Sequence, residues 1–234
     1  MKLHRYRTAD GRFDYARYRE VQIAGNLKKL DRRWVHRGTV PFLSDWLRAH
    51  VAPLNFGICH GTRRGDEQAW FREQLGIEVI GTEISPTATR FPHTIEWDFH
   101  KVKPEWIEAV DFIYSNSWDH SFAPRRCFRA WARCLRVGGV MLLEHSGQHR
   151  PEAVTELDPF GIGRQRLVAM LNRIGQGSFG VREVLTEVPF AKPPHLDGLA
   201  FLVVEKFARM DGVAQAAGEE GSEAGEDDAE TPPA

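Results

Sequence analysis

Residues 53–86, PLNFGICHGTRRGDEQAWFREQLGIEVIGTEISP, decide the fold. A short apolar run, Leu54 to Ile58, enters a glycine-punctuated turn, Gly57-x-Cys59-x-Gly61, with Gly65 just beyond. A helical stretch follows from Asp66 to Leu75, and a second apolar run, Val79 to Ile84, carries an acid, Glu83, near its end. Strand, glycine-rich turn, helix, strand and acid form the order of a nucleotide-binding βαβ unit. Glycines let a backbone approach a ligand closely, and a helix N-terminus offers free N–H groups. A carboxylate about 20 residues on accepts hydrogen bonds from ribose hydroxyls.

Outward from this stretch, apolar runs and helical stretches continue to alternate. Strands are expected at 54–58, 78–84, 94–99, 110–115 and 139–145, and helices at 66–75, 86–90, 104–109 and 123–136. In the last of these Cys127, Phe128, Trp131, Cys134 and Leu135 make an apolar stripe, and Gly138-Gly139 is read as its stop. Such alternation implies a parallel sheet covered by helices on both faces. A helix at 161–174 and two strands, 180–188 and 199–207, complete the pattern. The linker 189–198, PFAKPPHLDG, holds three prolines. A parallel crossover needs a dozen or more residues, usually helical, so these two strands are expected to be antiparallel. A dinucleotide-dependent dehydrogenase would instead continue with parallel units.

Residues 1–52 read as a helical cap. Tyr18, Val21, Ala24, Leu27, Leu30 and Trp34 recur at steps of three or four and are expected on one helix face. A second short helix is expected from Pro41, with packing on the sheet as the default. Residues 53–208 form the nucleotide-binding domain. Residues 209–234 lack a periodic apolar face and are expected to be a disordered acidic tail. With the eight acidic residues from Asp211 onward set aside, the body carries 31 basic against 24 acidic side chains. Hydrophobic residues make up 42% of the chain, enough for one good core. Three cysteines argue against a disulfide framework, and Cys127 and Cys134 on one helix lie about 10 Å apart, beyond bridging distance. The basic start has no apolar stretch behind it, and no run of 18 apolar residues occurs, so a soluble, cytoplasmic protein without membrane contact is expected.

A parallel five-strand core, a glycine-rich first turn, an acid ending the second strand and a final antiparallel pair together resemble the class I S-adenosylmethionine (SAM)-dependent methyltransferases. The resemblance covers about 53–207. It implies a Rossmann-like α/β fold: a seven-stranded, mostly parallel, doubly wound sheet with an antiparallel last strand. It also implies SAM as cofactor. Asn55-Phe-Gly57-Ile-Cys59-His-Gly61 stands where the family carries an acid followed by Gly-x-Gly-x-Gly, with Asn55 and Cys59 as departures. His60-Gly61-Thr62-Arg63-x-Gly65-x-Glu67 is similar to a divergent branch of unknown substrate. The resemblance assigns Gly57, Cys59 and Gly61 to the cofactor turn and Arg63 to the SAM carboxylate. Glu83, followed by Ile84, is assigned to the ribose hydroxyls, Asp98 and Phe99 to the adenine, and Asn116 to the end of the fourth strand.

For catalysis, Asp119 and His120 follow that fourth strand and are candidates for the base that takes the acceptor's proton. His145, in a cluster with Glu144 and His149, is another. No closely spaced histidine ligand pair on a helix is visible, so no metal is expected. The acceptor is read as a small molecule or glycan methylated on oxygen or nitrogen. Nucleic acid is disfavoured, because the turn lacks the Asn/Asp-Pro-Pro-aromatic pattern and no long basic stripe is seen. Two alternatives stand beside this reading. One is a methyltransferase-like binding module without turnover. The other, a nicotinamide-dependent oxidoreductase, fits less well because Gly57-x-Cys59-x-x-Thr62 replaces Gly-x-Gly-x-x-Gly.

Overall fold

The computed structural model describes residues 1–191 and 194–210. The acidic tail expected at 209–234 therefore lies, from residue 211 on, outside the described residues. The elements in chain order are β1 (Lys2–Leu3), α1 (Tyr15–Lys28), α2 (Thr39–His50), β2 (Phe56–His60), α3 (Asp66–Leu75), β3 (Glu78–Glu83), β4 (Thr94–Glu96), β5 (Val110–Ser115), α4 (Pro124–Cys134), β6 (Leu135–His145), β7 (Phe160–Gly161), α5 (Arg164–Gly175), β8 (Phe179–Leu185) and β9 (Ala200–Lys206). Seven strands form one sheet in the order β4-β3-β2-β5-β6-β9-β8. The pairs β2–β3, β2–β5, β3–β4 and β5–β6 are parallel, and β9 runs antiparallel to both β6 and β8. The proline-rich linker thus does what its length dictates, turning the chain back so that β9 inserts between β6 and β8.

Side-chain alternation along each strand feeds two apolar layers. On one face Ile58, Ile113, Met141 and Leu143 pack with α4 and α5 through Phe128, Trp131, Leu167 and Leu171. On the other, Cys59, Val79, Phe112 and Leu142 pack with α2 and α3 through Leu43, Trp46, Leu47 and Phe71. Each large apolar side chain so buried contributes about 1.5–3 kcal/mol. The parallel core strands end on the same edge, and switching from β2 outward to β3 and inward to β5 opens a crevice there.

Several boundaries differ from the sequence reading. β2 ends at His60, so Gly57 and Cys59 lie inside the strand. Helix α4 ends at Cys134 rather than at the glycine pair, because Leu135 is already extended (ψ 139°). Gly138 and Gly139 serve β6 instead. Gly138 takes φ +79°, and a Cβ on Gly139 would lie 2.9 Å from the Val110 carbonyl oxygen, where the β5–β6 register shifts. The 104–109 helix is a single turn, Pro104–Trp106. The small sheet of β1 and β7 went unread, both strands being two residues long.

The N-terminal helix turns a different face inward. Its buried residues are Tyr18, Gln22 and Asn26, one every fourth position, whereas Leu27 is 51% exposed and Trp34, beyond the helix end, 37%. Asp14 caps it by accepting from the Arg17 N–H at 2.9 Å. A helix with a polar buried face must pair those groups with something, and here the Gln22 amide and Asn26 Oδ1 reach across the crevice while Asn26 Nδ2 is left without a partner.

Candidate active site

The turn after β2 carries three left-handed residues at alternate positions: Gly61 (φ +75°), Arg63 (φ +45°) and Gly65 (φ +76°). Arginine adopts this conformation at a cost of about 1 kcal/mol. The Arg63 N–H donates to Glu83 Oε2 at 3.1 Å, and Ser85 N–H donates to Glu83 Oε1 at 3.1 Å. The carboxylate at the end of β3 is thereby fixed against the glycine turn 20 residues earlier. Glu83 is 8% exposed, and burial raises its pKa, partly countered by those two N–H groups.

A cavity with about 540 Å³ of empty space, partly open to solvent, lies over this pair. Its floor is the strand edge: Gly61, Arg63, Thr82, Glu83, Ile84, Trp97, Phe99 and Ser117. Its roof is α1, through Tyr18, Gln22, Gly25 and Asn26, and Lys29 just past its end, with His120 and Leu157 at the side. The roof is bonded down on both flanks. Tyr15 Oη donates to Asp98 at 2.9 Å, Arg19 pairs with Glu96 at 2.7 Å, and Thr87 Oγ1 donates to Asn26 Oδ1 at 2.8 Å. On the other side Gln22 Nε2 donates to the Leu157 carbonyl at 2.8 Å, and Arg17 pairs with Glu156 at 2.8 Å. Gly25 permits this closeness, since a Cβ there would sit 2.2 Å from Leu157 Cδ1.

A second cavity of about 370 Å³ shares Gly61, Arg63 and Ser117 with the first. Arg32, Arg33, Arg64, Thr62, Asp66, Glu67 and Asn116 also line it. Helix α3 begins there, where first-turn amides lack intrahelical partners. Glu67, 8% exposed, has one carboxyl oxygen, Oε2, buried without a hydrogen-bond partner, and burial pushes its pKa up to about 8. Burial lowers the pKa of the Arg63 guanidinium beside it, while Glu67 and Glu83 act the other way.

The structure thus brings Gly61, Arg63, Glu83, Ile84, Phe99 and His120 to the first cavity and Asn116 to the second. It does not bring all the expected residues. Gly57 lies under the sheet surface, where a Cβ would meet the Phe112 ring at 2.3 Å, so packing demands this glycine. The Cys59 side chain is buried in the α2–α3 layer, and burial raises its thiol pKa well above the ordinary value. Asn55 precedes β2, at the opposite end of the strand, and its N–H donates to Asp111 at 2.6 Å. Asp98 does not line the cavity. Its carboxylate is engaged by Tyr15 and by His100, whose Nδ1 is 2.7 Å away; burial alone would raise its pKa, but these hydrogen bonds hold it at about 2.

Of the expected catalytic groups, His145 points into the interior. Its Nε2 bonds to the Ile162 carbonyl at 2.9 Å, its ring stacks on Trp118, and burial lowers its pKa to about 4. His149 is likewise buried, its Nε2 donating to the Asn116 carbonyl at 3.1 Å. His120 is at the cavity wall with both ring nitrogens engaged, Nδ1 by Gln22 Oε1 at 2.7 Å and Nε2 by Asp158 Oδ1 at 3.1 Å. Asp119 beside it is buried, which raises its pKa to about 7. Sequence reading missed Tyr18, Gln22, Asn26, Trp97, Leu157 and Asp158. The available signal was Gln22 and Asn26, one turn apart below Tyr18 in a helix with ragged apolar spacing.

No protein-family model and no curated protein matches the chain. Solved structures do. A Burkholderia thailandensis 1,6-didemethyltoxoflavin-N1-methyltransferase, with 1,6-didemethyltoxoflavin and S-adenosylhomocysteine bound, is similar over 88% of this chain and 100% of its own, with TM-score 0.62 and 16% identity. The plantazolicin methyltransferase BpumL, in complex with S-adenosylhomocysteine, covers 82% of this chain and 95% of its own, with TM-score 0.62 and 10% identity. A Streptomyces coelicolor geranyl diphosphate C-methyltransferase, with Mg²⁺, geranyl diphosphate and S-adenosylhomocysteine, covers 70% and 76%, with TM-score 0.52 and 12% identity. The chain has the fold of the class I SAM-dependent methyltransferases. No helix among the described residues is long and apolar enough to cross a membrane.

Proposed function

We propose that the protein is a SAM-dependent methyltransferase acting on a small-molecule or glycan acceptor, at oxygen or nitrogen. The observation that carries this reading is Glu83, held against the glycine turn by the Arg63 amide and facing a cavity at the strand edge. Its oxygens receive the two ribose hydroxyls. Adenine lies against Ile84, Trp97 and Phe99; the sequence reading gave this role to Asp98 and Phe99. The methionine end passes over Gly61 into the second cavity. There its carboxylate meets the Arg63 guanidinium and the α3 N-terminus, and its ammonium meets Glu67, whose buried oxygen lacks a partner.

Methyl transfer from a sulfonium is an in-line displacement, so alignment supplies much of the acceleration. The roof helix α1 and the Leu157 loop hold an acceptor over the cofactor and exclude water. The proton of a hydroxyl or amine acceptor leaves toward His120 at the cavity wall, which Asp119 and Asp158 back. A roofed cavity of this size favours a small acceptor over a nucleic acid. The acceptors named for the toxoflavin and geranyl diphosphate enzymes support the same class. The antiparallel β9 weighs against a nicotinamide-dependent oxidoreductase.

Calorimetry with S-adenosylhomocysteine tests the cofactor. Wild type binds, and Glu83→Ala, folded by circular dichroism, loses roughly 100-fold in affinity through two charge-assisted hydrogen bonds. Labelled SAM with small-molecule extracts then separates an enzyme from a binding module. Cofactor binding with no labelled product from any extract favours the module, and absence of binding at millimolar cofactor sinks both.

A further inference from the structure

We propose that the outer arginine face of α4 and α5 is the docking surface for the chain's own acidic segment, residues 211–234, which lies outside the described residues. This face contributes no residue to either cavity, and its role is independent of the methyltransferase reading.

The two helices share one apolar layer on one side of the sheet. α4 carries Arg125, Arg126, Arg129 and Arg133, and α5 carries Arg164, Arg166 and Arg173, with no acidic residue on either. The body up to residue 210 has 31 basic against 24 acidic side chains, so these seven arginines equal its whole positive excess. Arg126, Arg129 and Arg133, spaced i, i+3 and i+7, line the side of α4 opposite its buried Cys127, Phe128 and Trp131. Like charges at these spacings repel one another. Other arginines of the fold are relieved by a carboxylate, Arg19 by Glu96, Arg72 by Glu78 and Arg136 by Asp111. Among the described residues no carboxylate pairs with Arg125, Arg126, Arg129, Arg133, Arg164 or Arg166. A polyanion laid on this face would supply the missing charge.

The point where the described chain ends selects the occupant. Arg209 Nε pairs with Glu108 Oε2 at 3.1 Å, and Met210 packs against the same apolar layer as α4 and α5. The Glu108 N–H donates to the Arg133 carbonyl at 3.0 Å. The chain therefore leaves the body at the C-terminal end of α4, at the foot of the arginine stripe. Beyond Met210 come eight acidic residues and no lysine or arginine, with seven of the acids from Glu219 to Glu230. α4 is about 16 Å long. The uncharged residues 212–218 span about 23 Å when extended, so the acids can reach every arginine of the stripe. So short a tether holds them at roughly millimolar effective concentration, which lets ion pairs that are individually weak act together.

The test uses the full chain. Cys59, Cys127 and Cys134 are buried, so a nitroxide on Ser222→Cys marks the acidic segment alone. At low salt the amide resonances of residues 124–134 and 164–175 should broaden several-fold more than those of α2 and α3 on the opposite side of the sheet. The effect should vanish at about 0.5 M NaCl, where the Debye length is about 4 Å. It should also fall when Arg126→Gln, Arg129→Gln and Arg133→Gln are combined, while the salt dependence in the parent chain needs no arginine variant. Equal broadening on both sides of the sheet would mean a merely solvated arginine face and overturns the proposal. Broadening of spin-free, isotope-labelled chains on mixing with spin-labelled ones would assign the segment to a second copy. Loss of the effect on adding one equivalent of a single-stranded RNA of about 20 nucleotides would assign the face to a nucleic acid. Either of these also overturns it.

Discussion

Replacing Glu67 by glutamine tests whether the second cavity holds an uncompensated acid. In the folded protein burial puts the Glu67 carboxyl at about 8, against 4.5 for the free side chain. Its folded pKa is raised, so the unfolded chain releases the proton first. The stability associated with the neutral form is complete below about pH 4.5 and is lost as pH rises through 8. Integrated from pH 5 to pH 9, the penalty is about 4 kcal/mol, a large part of a typical domain stability of about 5–15 kcal/mol. Glutamine has nearly the same shape and no proton to lose. Asp119, also raised by burial, titrates in both proteins and cancels in the difference, whereas Glu144, whose charge helps raise the Glu67 pKa, cancels only in part. Urea unfolding of wild type and Glu67→Gln at pH 5 and pH 9 measures this directly. Wild type should lose about 4 kcal/mol more than the variant between the two values. Equal losses would mean that Glu67 is solvated or paired, and the site for an ammonium group would have no basis.

If a ligand ammonium then meets Glu67 at pH 7, the acid ionises, so binding of S-adenosylhomocysteine should release a proton; calorimetric enthalpies that do not vary with buffer ionisation enthalpy would contradict this. Gly61→Ala forces a Cβ to 2.7 Å from Ser117 Cβ at φ +75° and should cost about 1–2 kcal/mol of stability together with cofactor affinity, checked by thermal melts and calorimetry. His60 is buried and neutral, with burial lowering its pKa to about 3, so its contribution is present above pH 6.5 and is lost as pH falls toward 3. Between pH 7 and pH 4 wild type should accordingly lose about 3 kcal/mol relative to His60→Gln in urea unfolding.

Periodicity and turn chemistry carried the sheet, since α3, β5 and the antiparallel final strand follow from local pattern and linker length. The start of the glycine turn did not. Cys59 and His60 are small enough or apolar enough to continue β2, one toward each layer, so the strand outran its apolar run. The roof helix misled for a physical reason. Gln22 and Asn26 are buried because their amides bond Leu157, His120 and Thr87 across the cavity, a pairing that apolar spacing cannot report. Asp158 and Leu157 lie in an irregular stretch placed by long-range contacts, among them the β1–β7 pair and the bond from Tyr6 Oη to the Glu156 carbonyl. Glu83 was legible because its distance from the glycine turn and its strand-end position are both local. His145 sits at the end of β6 as read, but its ring turns inward to Trp118, and a strand's sequence does not say which end residue faces solvent.

A crystal structure of the full chain with S-adenosylhomocysteine is the most direct test. The account predicts ribose hydroxyls within hydrogen-bond distance of both Glu83 oxygens, the adenine beside Phe99 and the amino group against Glu67. A cofactor seated elsewhere, or a ribose that leaves Glu83 bonded only to Arg63 and Ser85, would contradict it.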